Sequence, residues 1–189
     1  EHEYLLYLPL NNGTKTLDIG ISPESALIEP GPRPGKPICF YGTSIVQGGC
    51  ASRPGMAHVA ILGRKLDVPT TNLGFSGSAR MEPEMAALLA ELDVAAYVLD
   101  CLPNMTAALV GERLGPFVEK LRQARPDTPI ILVENMAHMD AAFLPGVRAT
   151  VTEENGALRQ VYRRLVEKRV KGLIYVQRDN LLGTDGEGT

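Results

Sequence analysis

The chain has 189 residues, of which 44% are hydrophobic and 22% charged, and its formal net charge is −3. This composition excludes a disordered or fibrous protein and allows one well-buried domain of ordinary size with a short additional segment. The weakly acidic balance offers no basic surface, so nucleic acid is not an expected partner, and no apolar run reaches membrane-spanning length. The first residues show no secretory signal pattern, and both a cytoplasmic and a secreted location remain open. The oligomeric state is not predicted by the sequence.

Residues 1–33 differ from the rest of the chain. A short apolar run at residues 4–10 is followed by an Asn-Asn-Gly turn and by residues 14–21, in which apolar and polar side chains alternate. This pattern predicts a β-hairpin, which is marginal alone and must pack on a larger structure. Five prolines between residues 22 and 37 indicate a linker. We therefore predict a hairpin and linker in residues 1–33 and a separate domain in residues 36–189.

From residue 36 onward, predicted strands and helices alternate. The strands are predicted at residues 37–42, 69–75, 94–99, 129–133 and 172–176, and the helices at residues 54–66, 82–92, 109–125 and 153–171. Such alternation predicts a parallel sheet with helices on both faces. The predicted fold class is α/β, a flavodoxin-like three-layer αβα sandwich with a five-stranded parallel sheet, preceded by the hairpin.

The ends of the first three predicted strands carry the residues best suited to chemistry. They run into Gly-Thr-Ser at residues 42–44, Gly-Phe-Ser-Gly at 74–77 and Leu-Pro-Asn at 102–104. Ligands of open parallel sheets bind outside the carboxyl ends of the strands. Ser44 is therefore a candidate nucleophile, although a capping serine in a simple turn is an alternative interpretation. The N–H groups of Ser44 and Gly77 and the side-chain amide of Asn104 are candidate donors to an oxyanion.

These three blocks resemble, in order and separation, those of the SGNH hydrolase superfamily, the GDSL-type esterases, lipases and acylhydrolases. The resemblance is closest to the branch in which a small β-sandwich domain precedes the hydrolase domain, and it implies that residues 1–33 are the end of such a domain. Thr43 stands where the family usually has Asp, and Pro103-Asn104-Met105 replaces Gly-x-Asn-Asp. The resemblance implies an acyl-enzyme on Ser44, a small acyl ester as substrate, and neither a metal nor another cofactor.

The family's fourth block, Asp-x-x-His, supplies a general base and the carboxylate that orients it. Residues 1–189 contain no such block. We expect it to follow Thr189, and the chain alone is then expected to be nearly inactive, because a serine without a base is a poor nucleophile. Of the histidines present, His58 falls in a helix and is interpreted as structural. His138 follows the fourth predicted strand and, with Thr43 and Arg80, is a candidate for substrate binding. A role of His138 as the base is the less favoured alternative.

Other functions could use the same crevice. An acyltransferase would pass the acyl group to an alcohol instead of water, and a catalytically inactive module would only bind an ester or a carbohydrate. A nucleotide-binding flavodoxin-like protein is disfavoured, because the first loop lacks a glycine-rich phosphate cradle with a lysine. The three cysteines have no metal-ligand spacing, which predicts ordinary thiols.

Overall fold

A computed structural model describes residues 2–31, 33–136, 143–179 and 181–182. The strands are β1 (Ile38–Gly42), β2 (Thr70–Gly74), β3 (Ala96–Asp100), β4 (Ile130–Val133) and β5 (Leu173–Val176). The α-helices are α1 (Ser44–Gln47), α2 (His58–Leu66), α3 (Pro83–Glu91), α4 (Ala107–Ala124) and α5 (Pro145–Glu167). All strand pairs are parallel, and the sheet order is β2-β1-β3-β4-β5. The predicted α/β class and five-stranded parallel sheet are confirmed.

Alternating side chains along the strands form two apolar layers. On one face of the sheet, Tyr41, Leu99 and Leu132 belong to a large buried core that includes side chains of α3, α4 and α5. On the other face, Phe40 packs with Val59 of α2 in a smaller cluster. Because each face buries apolar side chains under helices, the architecture is the predicted three-layer sandwich.

Two helices differ from their predicted bounds by more than two residues. The first is divided into a 3-10 helix, Pro54–Met56, and α2, because Ala57 between them has φ −59° and ψ 139°, outside the helical region. The last helix begins at Pro145, well before its predicted start. Proline favours the first helical position, but most side chains of the first turns are exposed, and the apolar periodicity starts only at Val151.

The predicted N-terminal hairpin is wrong for this chain. The structure shows no strand in residues 2–31. The apolar face that Leu17, Ile19 and Ile21 were expected to form is exposed, at 47–58% of each residue's surface. An isolated hairpin needs a sheet or a helix against such a face, and without that packing the pairing has too little to stabilise it. The placement of residues 1–33 at the end of a β-sandwich domain stays a prediction.

Part of the N-terminal stretch contacts the α/β domain. Arg64 of α2 donates a hydrogen bond to the Tyr7 hydroxyl at 2.8 Å, and its guanidinium lies 5.3 Å from the centre of the Tyr7 ring. Gln47 of α1 donates from Nε2 to the carbonyl oxygen of Leu10 at 2.8 Å. The segment of residues 7–10 is therefore attached beside the carboxyl end of β1, and we call it the N-terminal segment.

Candidate active site

The sheet order creates a crevice at the carboxyl ends of β1 and β3. The chain leaves β1 towards β2 on one side, whereas β3 continues towards β4 on the other, so these neighbouring strands form a topological switch point. Gly42 at the end of β1 is in register with Gly74 of β2 and with Asp100 of β3. The three loops that the sequence singled out therefore start level with one another at one edge of the sheet.

The close approach of β1 to β3 requires glycine at position 42. A Cβ atom on Gly42 would lie 2.3 Å from the carbonyl oxygen of Asp100 and 2.4 Å from Cγ2 of Val46. Both distances are well inside van der Waals contact, and the nearer atom belongs to the backbone, which cannot easily move aside. The absence of a side chain thus lets the turn that carries Ser44 sit directly against the end of β3.

Thr43 caps α1. Its side-chain oxygen accepts a hydrogen bond from the N–H of Ile45 at 3.2 Å, and its own N–H donates to the carbonyl oxygen of Asp100 at 3.3 Å. The residue is completely buried. A side chain in this position stabilises the helix start, and its burial does not support the predicted contact with substrate.

Ser44 is the first residue of α1 and is half-buried. Its carbonyl oxygen accepts hydrogen bonds from the N–H groups of Gly48 and Gly49 at 3.0 and 2.9 Å, which closes the turn after the helix. Within the part of the chain that the structure describes, neither the Ser44 hydroxyl nor its N–H has a hydrogen-bond partner. With respect to the described residues, both groups are free to bind a ligand at the crevice.

The loops that follow β2 and β3 meet next to the crevice. The side-chain amide of Asn104, at the end of the 3-10 helix Leu102–Asn104, donates to the carbonyl oxygen of Ser78. This bond uses one of the two amide hydrogens of Asn104 and leaves the other for a ligand. Gly77, one residue earlier, is exposed and has φ +69°. The structure thus brings the segments of two predicted oxyanion donors together.

The segment after Gly77 has a strained backbone. Ala79 and Met81 have φ values of +58° and +52°, although neither is a glycine. Such a conformation costs an ordinary residue about 1–2 kcal/mol. Both side chains are almost completely buried, at 3% and 1% exposure. Core packing therefore offsets the strain and holds this loop in one conformation.

Glu82 fastens the same segment to β1. Its Oε2 atom accepts hydrogen bonds from the N–H of Arg80 at 2.9 Å and from the Tyr41 hydroxyl at 3.0 Å. Burial alone would raise the pKa of Glu82, but backbone N–H groups, the Tyr41 hydroxyl and the nearby Arg113 together bring that pKa below its ordinary value. Glu82 therefore remains ionised near neutral pH, which maintains both hydrogen bonds.

The remaining predicted substrate contacts have different outcomes. Arg80 is exposed and donates from Nη2 to the carbonyl oxygen of Gly77 at 3.1 Å, so it lies next to a candidate donor, and its contact with substrate stays a prediction. His138 lies outside the described residues. His58 starts α2 and packs edge-on to Phe40 with 6.2 Å between ring centres, and burial lowers its pKa. These contacts agree with a structural role for His58.

Two buried acids that were not among the predicted site residues lie at strand ends. Glu134, directly after β4, accepts hydrogen bonds from Tyr175 Oη at 2.5 Å, Arg159 Nε at 2.8 Å and the Arg178 N–H at 3.0 Å. These bonds tie the exit of β5 to that of β4, and they lower the pKa of Glu134 although burial opposes this. Asp100 is 7% exposed, and burial raises its pKa to about 7. Asp100 is the last residue of β3 and Glu134 follows β4. A polar residue that ends an apolar run of sequence is the signal common to both.

We expect the buried Asp100 carboxyl to make stability depend on pH. Its ordinary pKa is 3.8, so the folded state holds the proton more tightly, and the free energy of unfolding should fall as pH rises from about 4 to about 7. The upper limit of this loss is about 4 kcal/mol, at 1.36 kcal/mol per unit of pKa. Urea unfolding at pH 5 and pH 8 should show a smaller difference for Asp100→Asn than for the wild type. The exposed Asp127→Asn is the control, and a wild-type difference retained in Asp100→Asn would contradict the expectation.

The described residues show neither a metal-binding cluster nor a membrane-spanning helix. Across residues 2–31, 33–136, 143–179 and 181–182, no three His, Cys, Asp or Glu side chains are grouped so as to hold a metal ion. No helix in those ranges combines the length and hydropathy that a bilayer span requires. The three cysteines are free, with two of them buried.

Comparison with known proteins gives a family-level match. The sequence profile of the GDSL-like Lipase/Acylhydrolase family matches residues 35–189. No curated protein sequence matches the chain significantly. Among solved structures, a protein assigned to the GDSL-like lipases from Bacteroides ovatus has 40% sequence identity and a TM-score of 0.92, over 97% of this chain and 54% of that one.

More distant structures share the fold. A salicylyl-acyltransferase from a tetracycline biosynthetic pathway has 21% identity and a TM-score of 0.70, over 80% of this chain and 45% of that one. An SGNH-hydrolase family esterase has 18% identity and a TM-score of 0.54, over 75% and 76% of the two chains. At such identities the likeness concerns the fold alone. The present chain spans about half the length of the Bacteroides ovatus protein and of the acyltransferase.

Proposed function

The chain belongs to the GDSL-like lipase/acylhydrolase family, and on that premise we propose that it carries the nucleophile and oxyanion hole of a serine-dependent carboxylic ester hydrolase. The observation that supports this most directly is the position of Ser44. Its hydroxyl and N–H have no hydrogen-bond partner among the described residues. It lies at a topological switch point, where the loops that bear Gly77 and Asn104 begin at the same level of the sheet as the loop that bears Ser44. Acyl transfer needs this combination of a free hydroxyl and nearby donors.

In the proposed reaction, Ser44 Oγ attacks the carbonyl carbon of an ester. The hydroxyl proton passes to a histidine base and then to the departing alcohol. The carbonyl oxygen becomes an oxyanion, which the N–H groups of Ser44 and Gly77 and the Asn104 amide stabilise. Each such donor typically contributes about 3–4 kcal/mol. Water then attacks the acyl-enzyme on Ser44, releases the acid and restores the hydroxyl.

The histidine base is the part of the reaction that the family resemblance assigns to an Asp-x-x-His block. Residues 1–189 contain no such block. The assays below use the intact protein.

Turnover of p-nitrophenyl acetate by the intact protein tests the proposed function. We expect release of nitrophenol with an equal amount of acetate, because water is the acceptor. Repeating the reaction with an added alcohol distinguishes a hydrolase from an acyltransferase, since the latter would form the acetylated alcohol in preference to acetate. A folded protein that binds the ester without any turnover would contradict the proposal and favour an inactive binding module.

Residues 1–33 are proposed to be the end of a small β-sandwich domain. The similarity to the Bacteroides ovatus protein extends over 97% of this chain and so includes most of these residues. A partner sheet would supply the packing that the exposed apolar side chains of residues 14–21 lack here.

A further inference from the structure

We propose that Gln47 is a positioning residue that couples the N-terminal segment to the oxyanion-hole loop carrying Gly77. This inference rests on the proposed function, because it concerns the geometry of that same site. Gln47 itself is not expected to touch substrate. It would act through Ser76, the residue directly before Gly77.

The side-chain amide of Gln47 bridges two parts of the chain. Its Oε1 atom accepts a hydrogen bond from the N–H of Ser76 at 3.2 Å, and its Nε2 atom donates to the carbonyl oxygen of Leu10 at 2.8 Å. A primary amide presents an acceptor and a donor at a fixed separation. The half-buried Gln47 therefore connects the loop after β2 with the N-terminal segment through one rigid group.

The backbone around this bridge is closely packed. A Cβ atom on Gly74 would lie 2.0 Å from the backbone nitrogen of Gln47, so the end of β2 passes directly against α1. Asn72 of β2 donates to the carbonyl oxygen of Val46 at 2.9 Å and accepts from the N–H of Gly74 at 2.9 Å. Asn72 thus fixes the end of β2 to α1, and Gln47 extends that attachment to Ser76.

The other end of the bridge is also held in place. A Cβ atom on Gly48 would lie 2.8 Å from Cδ1 of Leu10, which shows how closely Leu10 packs on the end of α1. Three residues earlier, Tyr7 lies over Gly55 and accepts a hydrogen bond from Arg64. The N-terminal segment therefore contacts the domain at two points, Tyr7 and Leu10. The hydrogen bond from Gln47 to Leu10 is its polar contact with α1.

Loss of this bridge should affect turnover more than substrate binding. The Ser76 N–H would lose its acceptor, and the adjacent Gly77 N–H could then move relative to the oxyanion. A displacement of about 1 Å at a catalytic group can cost about 10²-fold in rate. An interaction made chiefly in the transition state lowers kcat and leaves KM nearly unchanged.

The experiment compares Gln47→Leu, which removes both hydrogen bonds, with Gln47→Glu, which keeps an acceptor for Ser76 but loses the donor to Leu10. Gln123→Leu, at an exposed position of α4, is the matched control. The intact proteins are assayed with p-nitrophenyl acetate, and hydrogen exchange is measured in peptides covering residues 75–78 and 7–10. Gln47→Met keeps the side-chain length without the amide and replaces Gln47→Leu if that variant does not fold.

We expect Gln47→Leu to lower kcat by about 10- to 100-fold, to change KM by less than about 2-fold, and to exchange faster in both peptides. Gln47→Glu should keep kcat within about 3-fold of wild type and exchange faster only in residues 7–10. An unchanged kcat in Gln47→Leu, or unchanged exchange in residues 75–78, would overturn the inference. Absence of turnover in the wild type would instead contradict the proposed function, and the exchange data would still test the coupling.

Discussion

The Ser44→Ala variant of the intact protein should lose at least about 10³-fold in kcat/KM for p-nitrophenyl acetate, because no acyl-enzyme can form. Residual rate would come from the oxyanion donors and from substrate binding alone. Folding should be little affected, since the Ser44 hydroxyl has no hydrogen-bond partner among the described residues and its removal breaks no described contact. Steady-state kinetics together with urea unfolding measure both effects.

The control for this loss is Ser52→Ala, another serine-to-alanine change, at an exposed position between α1 and the 3-10 helix Pro54–Met56. It should retain wild-type kinetics. If Ser44→Ala kept its activity within about 10-fold of wild type, the nucleophile would have to be another group, and Ser44 would be only a residue of the strand-to-helix turn.

Replacement of Asn104 by Leu should lower kcat by about 10²- to 10³-fold with little change in KM. Leu approximates the shape of Asn but has no N–H to donate, so the oxyanion loses one stabilising interaction that is made chiefly in the transition state. The Asn104 bond to Ser78 is also lost. Because that bond is solvent-accessible, the free energy of unfolding should change by no more than about 1 kcal/mol.

Two readouts separate the catalytic from the structural role of Asn104. Fluorophosphonate labelling of Ser44 should still occur in Asn104→Leu, but more slowly, because the nucleophile remains in place. Asn12→Leu, at an exposed position of the N-terminal stretch, should behave as wild type. A kcat for Asn104→Leu within about 3-fold of wild type would remove Asn104 from the oxyanion hole.

Much of the fold could be predicted because its strands are short, apolar and buried between helices. For β1 and β4 the apolar runs coincide with the observed strands to within about two residues. The start of α5 could not be found, since its first two turns are mostly exposed and lack apolar periodicity. The prediction of the hairpin was wrong for a related reason. The alternation in residues 14–21 places the apolar side chains on one face, but a strand forms there only when another element packs against that face.

The site was predictable to the extent that it depends on topology. Ser44, Gly77 and Asn104 follow consecutive strands of a parallel sheet, and strand order alone places such loops at one edge. The supporting contacts were not predictable. Gln47 meets Ser76, and Tyr41 meets Glu82, across long stretches of sequence, and these pairings depend on how α1 and the loop after β2 pack in three dimensions.

The most direct test of the central claim is to treat the intact protein with a fluorophosphonate and locate the covalent adduct by peptide mass spectrometry. We predict a single adduct, on Ser44, that is absent from Ser44→Ala and present in Ser52→Ala. A folded protein that forms no adduct, or one that carries it on a different serine, would contradict the assignment of Ser44 as the nucleophile.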